Sequence, residues 1–213
     1  MQNHIFITGI STEVGKTISS AIVVESLKAD YWKPIQSGEL ENSDTMKVQQ
    51  LISNTETQFF PNAYGFHFPA SPHFSAELEN ITIEMDKIIR PETKNNLVIE
   101  GAGGLFVPLN KKNSIIDLIL PSDKVILVSR HYLGSINHTI LSIEALKNRN
   151  ISVSGIIFSG KQHLSTENWI KEYTNIPIIG RIDEEPYFGK NIIKEYADIF
   201  HENLVSLLTK CKK

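Results

Sequence analysis

Residues 9–17 read GISTEVGKT and stand between an apolar run, Ile5-Phe6-Ile7, and a helix-compatible stretch from Thr17 to Leu27. A strand that turns through glycine and lysine and continues as a helix is the setting of a phosphate-binding loop. Successive backbone N–H groups of the loop and of the helix N-terminus converge on anionic oxygens. Lys16 adds a point charge, and Thr17 offers a hydroxyl to a magnesium ion. Gly15 lets the backbone approach the ligand where any Cβ would obstruct it. The common spacing puts a glycine five residues before Gly15; Ile10 stands there, and the glycine is Gly9, one residue earlier. The chain therefore reads as an α/β protein of the P-loop NTPase type.

The remaining pattern agrees with that class. Candidate strands are His4–Thr8, Tyr31–Ile35, Leu97–Glu100, Lys124–Ser129, Val153–Phe158 and Ile178–Gly180. Candidate helices are Thr17–Lys28, Ser43–Ser53, Ile83–Ile89, Ile115–Leu120, Ser135–Asn150, Thr166–Tyr173 and Lys190–Leu208. Such alternation predicts a doubly wound, mainly parallel sheet flanked by helices. Val125–Val128 and Val153–Phe158 are almost wholly apolar, as strands covered on both faces are. Phe59–Glu79, rich in Pro, Phe and His, reads as an ordered irregular excursion over the sheet edge.

The 213 residues suit one domain, 1–213, with a substantial core. A net charge of -3 gives no sign of nucleic-acid or acidic-membrane partners. No apolar segment has membrane-spanning length, and no signal peptide is expected. The one cysteine, Cys211, lies in a lysine-rich tail. An intramolecular disulfide is excluded, a catalytic thiol is not expected, and a reducing, cytoplasmic setting fits.

In a sheet of this kind ligands bind beyond the carboxyl ends of the strands. The residues that follow the candidate strands are the loop around Lys16, then Lys33-Pro34-Ile35-Gln36-Ser37-Gly38, then Glu100-Gly101-Ala102-Gly103-Gly104, then Arg130 to His138. Chemistry-bearing side chains thus gather at one rim.

TGISTEVGKT (Thr8–Thr17), KPIQSG (Lys33–Gly38), NSD (Asn42–Asp44), SPH (Ser71–His73), VIEGAGGLFVPL (Val98–Leu109) and LGSINHT (Leu133–Thr139) occur in this order. Together they resemble the dethiobiotin synthetases. The resemblance covers the first two thirds of the chain. It implies an ATP-dependent cyclo-ligase of biotin biosynthesis, which uses Mg2+ and closes 7,8-diaminopelargonic acid with CO2 into dethiobiotin, releasing ADP and phosphate. In that family the diamine becomes a carbamate, ATP phosphorylates it, and the neighbouring amine closes the ring. The family pattern also implies a homodimer with the substrate site near its interface.

Carried onto this sequence, the resemblance gives Lys16, Lys33 and Thr12 to catalysis. The two cations would face the charge of the phosphoryl transfer, and Thr12 would hold the carbamate. Thr17, Asp44 and Glu100 would be the metal ligands, oxygen donors of the kind Mg2+ takes. Glu100 ends an apolar strand and needs a partner, a metal or a salt bridge. Asp44 follows Asn42-Ser43 and reads either as a ligand or as part of a helix cap. The nucleotide would meet Glu13, Val14, Gly15, Lys16, Thr17 and Ile18, together with Asp44, Glu100, Gly101, Ala102 and Gly103. Its base would lie by Ser159, Gly160, Ile182, Asp183 and Glu184. Ser37 and Thr12 would bind the reacting end of the substrate. Gly134, Ser135, Ile136 and Asn137 would take its carboxylate tail at a helix start, although Asn137 also reads as a cap.

Two positions depart from the family. Ser159 stands where an asparagine commonly recognises adenine, and Asp183 stands where proline is common. Both lie in the nucleobase region, and the departure at Ser159 predicts a weakened preference for ATP. The rival reading is a P-loop switch ATPase of the partition or division-site type. Such proteins often carry an early loop lysine where this chain has Ser11, and a pure switch has no use for KPIQSG.

Overall fold

In the computed structural model, residues 2–209 are described, and Cys211 lies outside them. Nine strands and six helices follow one another. They are β1 (His4–Gly9), α1 (Lys16–Leu27), β2 (Asp30–Trp32), β3 (Ile35–Ser37), α2 (Asp44–Leu51), β4 (Phe59–Phe60), β5 (Tyr64–Phe66) and α3 (Pro72–Leu78). Then come β6 (Leu97–Gly104), β7 (Lys124–Arg130), α4 (Ser135–Lys147), β8 (Val153–Ser159), α5 (Leu164–Thr174), β9 (Ile178–Ile182) and α6 (Lys190–Thr209).

Seven strands form one sheet in the order β4-β2-β6-β1-β7-β8-β9, and its pairs are parallel. β1 lies inside the sheet, so its loop opens between two flanks. Along β1 the side chains alternate between cores. Ile5 and Ile7 join α1, α2 and α6 on one face, whereas Phe6 joins Leu97, Ile99 and Leu146 on the other. Ile156 and Phe158 of β8 pack on Ile170 of α5. That is the helix–sheet–helix sandwich the sequence predicts.

Five expectations need correction. The predicted strand Tyr31–Ile35 is two strands, with β2 in the main sheet and β3 paired to β5 in a separate two-stranded sheet. Pro34 sits at the break and brings no N–H to a ladder. The predicted strand Leu97–Glu100 continues through the glycines to Gly104, whose partner is Gly9. Ile83–Ile89 is no helix, only a single 3-10 turn at Met85–Lys87, and Ile115–Leu120 likewise shrinks to a 3-10 turn at Ile115–Leu118. The Phe59–Glu79 excursion is more regular than expected, since it carries β4, β5 and α3.

Candidate functional site

The loop after β1 has a definite shape. A Cβ at Gly9 would lie 2.5 Å from Val14 Cγ2, so the displaced glycine is where the chain folds back on itself. Glu13 takes the left-handed conformation at φ 55°, a strain of order 1 kcal/mol that clusters at ligand-binding loops. Gly15 has φ 94°, and a Cβ there would lie 3.0 Å from Ser159 Oγ of β8.

The loop borders a cleft of about 1070 Å³. Thr12, Glu13, Gly15, Lys16, Thr17 and Ile18 line its floor. On the flank of β6 and β2 it meets Lys33, Ser37, Asp44, Glu100, Ala102 and Gly103. On the flank of β8 and β9 it meets Ser159, Gly160, Ile182, Asp183 and Glu184. Segments scattered over most of the sequence therefore share one wall. Val14 and Gly101 do not line it. Val14 is turned into the core, and Gly101 lies against Phe6 and Ile115. Gly134 to Asn137 do not line it either; Gly134, Ile136 and Asn137 are exposed, and Ser135 is buried.

The charge centre is compact. Lys33 Nζ lies 2.5 Å from Asp44 Oδ2 and 3.1 Å from Glu100 Oε1. Thr17 Oγ1 donates to the same Glu100 oxygen at 3.0 Å, and Tyr31 donates from its hydroxyl to Oε2 at 2.9 Å. Glu100 is 1% exposed, so these partners replace the water it has lost. Burial works against the charge of Lys33, but Glu100 and Asp44 outweigh it and hold its pKa above the ordinary value. Asp44 is held below its ordinary value because Lys33 outweighs its own burial. Lys16 goes the other way. Burial and the nearby Lys33 lower it to about 8, and Nζ donates to Ser11 O at 3.0 Å.

Local chemistry fixes these positions. Ser43 caps α2, its Oγ accepting from Met46 N at 3.3 Å, which leaves the Asp44 carboxylate for the cleft. Gln36 Oε1 accepts from Asp44 N, and Gln36 Nε2 donates to Gly38 O. The excursion closes that side, because Gly38 approaches Pro69 so closely that a Cβ would lie 2.6 Å from the ring. Gly134, not Asn137, occupies the N-cap of α4, so the capping reading of Asn137 fails.

Thr17, Asp44 and Glu100 offer one hydroxyl and two carboxylates. That oxygen-only set fits Mg2+, which keeps water and phosphate for its other positions. Among the described residues no group of three His, Cys, Asp or Glu gathers as a metal site. The Ser37 hydroxyl is buried and unpartnered within the chain while its residue lines the cleft.

Sequence reasoning missed Tyr31, Arg181 and the Pro69–Ala70 part of the wall, and it gave Gln36 and Arg130 no role beyond their place at the rim. Only Arg181, a charged residue directly after a glycine near the end of β9, carried a readable signal.

A family profile described as an AAA domain matches residues 3–191. A relative from Christiangramia forsetii named "ATP-dependent dethiobiotin synthetase BioD" is 59% identical, covering 97% of this chain and 100% of its own. A relative of the same name from Cytophaga hutchinsonii is 42% identical over 93% and 97%. Among solved structures, the septum site-determining protein MinD of Pyrococcus horikoshii superposes with a TM-score of 0.57 at 13% identity, covering 97% of this chain and 94% of its own. The pNOB8 ParA structure does so at 0.61 and 10% identity, covering 98% of each. At that distance the likeness concerns fold alone. The kinship of architecture behind the rival switch reading is present, whereas the full-length sequence similarity lies with the synthetases.

Proposed function

The chain belongs to the dethiobiotin synthetase family and is an ATP-dependent ligase of biotin biosynthesis, and from that premise we propose how its residues divide the work. ATP lies with its phosphates on the loop at Gly15–Ile18 and its base toward Ser159–Gly160 and Ile182–Glu184. The diamine lies on the other flank, with its reacting nitrogens near Ser37 and Thr12. The observation that carries this division is the Lys33–Asp44–Glu100–Thr17 centre, which joins the loop floor to the β6–β2 flank, with Lys16 nearby.

The reaction then has named supports. CO2 adds to one amine of 7,8-diaminopelargonic acid as a carbamate, with loss of a proton. A carbamate oxygen attacks the γ-phosphorus and ADP leaves. The second amine attacks the carbamoyl carbon, phosphate leaves, and the cyclic urea forms. Lys16 and Lys33 stabilise the negative charge that builds on the transferring group. Thr17, Asp44 and Glu100 would hold Mg2+, which supplies charge neutralisation at the phosphates. Ser37, with its free hydroxyl, orients the amine or the carbamate.

The partner surface is part of the reading. Leu133, just before the N-cap of α4, and Leu141, in the middle of that helix, are exposed apolar residues on either side of Gly134–Asn137 in sequence. Such a face supports a homodimer in which this segment meets the carboxylate tail of substrate bound to the other protomer. A cytoplasmic location follows from the biosynthetic role. No helix among the described residues is long and apolar enough to cross a membrane.

Phosphate release from ATP tests the function. It should require both the diamine and bicarbonate. Release that ignores either one would return the chain to the switch ATPases.

A further inference from the structure

A charge cluster lies under the β8–β9 side of the cleft, apart from the Lys33 centre. Arg181 of β9 donates from Nη1 to Gly160 O at 2.7 Å and to Asp183 Oδ1 at 3.1 Å. Its Nη2 pairs with Glu167 of α5. Glu167 Oε1 also takes the Nε2–H of His131 at 2.9 Å. The three side chains are 15%, 14% and 9% exposed. One guanidinium thus ties together the ends of β8 and β9, the helix between them and, through Glu167, the residue after β7.

Stability alone is a weak reason for such a cluster, because well-packed apolar residues do as well as buried ion pairs. Its aim is more telling. Two of the groups held by Arg181, Gly160 and Asp183, line the cleft. Gly160 has φ 87° and also donates from its N–H to Ile182 O at 2.9 Å, so the peptides on both sides of its Cα are held. Ser159 brings only a short hydroxyl to this region. Gly160 N–H and Ile182 O are spent on each other and Asp183 N–H donates to the Tyr196 hydroxyl, which leaves the second lone pair of the Gly160 carbonyl and the Asp183 and Glu184 groups to meet a nucleoside here. Main-chain groups discriminate only as well as they are held in place.

We propose that Arg181 is a positioning residue for the nucleoside half of ATP. It sets the Gly160 carbonyl and Asp183 at one geometry, and Glu167 and His131 hold the guanidinium to that task. The proposal rests on the cleft being the ATP site.

Titration calorimetry with Mg2+ present tests it on the full chain as wild type, Arg181→Met, Arg181→Lys and Glu167→Gln. ADP and inorganic pyrophosphate are the probes, since they share two phosphates and differ by adenosine. Arg181→Met should weaken ADP about tenfold and leave pyrophosphate within about twofold, the scale of one lost charge-assisted constraint. Arg181→Lys should recover part of the loss, because an ammonium reaches fewer of the acceptors than the planar fork. Glu167→Gln should shift ADP in the same direction by less. In turnover, KM for ATP should rise while kcat and KM for the diamine hold. Equal weakening of both probes would reduce Arg181 to general structure, and unchanged ADP binding would remove its role; either overturns the proposal. Failure of the wild-type chain to bind ADP would overturn the ATP-site reading beneath it instead.

Discussion

At the scale of single residues, the site depends on a few buried charges that share partners. Lys33 is the shared cation of Asp44 and Glu100. Lys33→Ala should lower turnover roughly a hundredfold or more, the scale for one preorganised contact in a transition state. Steady-state kinetics with circular dichroism checks it, and near-normal turnover in a folded variant would remove Lys33 from catalysis. Glu100→Gln keeps the side-chain shape and its contact with Tyr31 but removes charge. The half-saturating Mg2+ concentration should rise several-fold or more, roughly as expected for losing one of two carboxylate ligands, and KM for the diamine should move less. A magnesium titration with an unchanged midpoint would make Glu100 purely structural. Much of this was legible beforehand, since the loop residues are contiguous and Lys33 and Glu100 both follow apolar strands. Tyr31 and Arg181 were not. Tyr31 reaches Glu100 only because β2 pairs with β6, and Arg181 reaches Gly160 only because β9 pairs with β8.

Individual elements follow their sequence wherever length and pattern agree. α1, α4 and α6 are long and were readable as helices. The segment Ile83–Ile89 has apolar spacing, but it is short and β-branched, so it does not recover the cost of helix nucleation. The glycines after Glu100 read as a turn because glycine weakens strands, yet pairing with β1 carries them to Gly104. Gly180 of β9 shows how tightly these elements fit. A Cβ there would lie 2.1 Å from Phe200 Cε1 on α6. Gly180→Ala should therefore destabilise the protein by about 1–3 kcal/mol, as overpacking does. Thermal unfolding would register it, and adding Phe200→Leu should recover part of the loss. A melting temperature equal to wild type would mean that α6 rides loosely on the sheet.

For the molecule as a whole, the architecture it shares with partition and division ATPases leaves its chemistry to side chains at the rim. A side chain in the cluster beneath that rim also carries a pH signature. Burial, Arg181 and His163 lower the pKa of His131 from 6.5 to about 4, and His4 is lowered too, by burial and then by Arg90. The unfolded chain therefore binds these protons more readily. Stability present above about pH 6.5 is lost as pH falls toward about 4. Urea midpoints at about pH 7 and about pH 5 should differ less in His131→Gln than in wild type. An identical difference would show that His131 contributes nothing to acid sensitivity. The contact of α6 with α1 bears on how the protein is made. Ile193, Ala197, Phe200 and Leu204 share a core with Ile22 and Val23 of the helix that carries Lys16 and Thr17. On the ribosome α6 emerges after every other described element. Until it does, the part of α1 that α6 covers has no partner, so the nascent chain presents an aggregation-prone apolar surface beside its nucleotide loop until α6 docks.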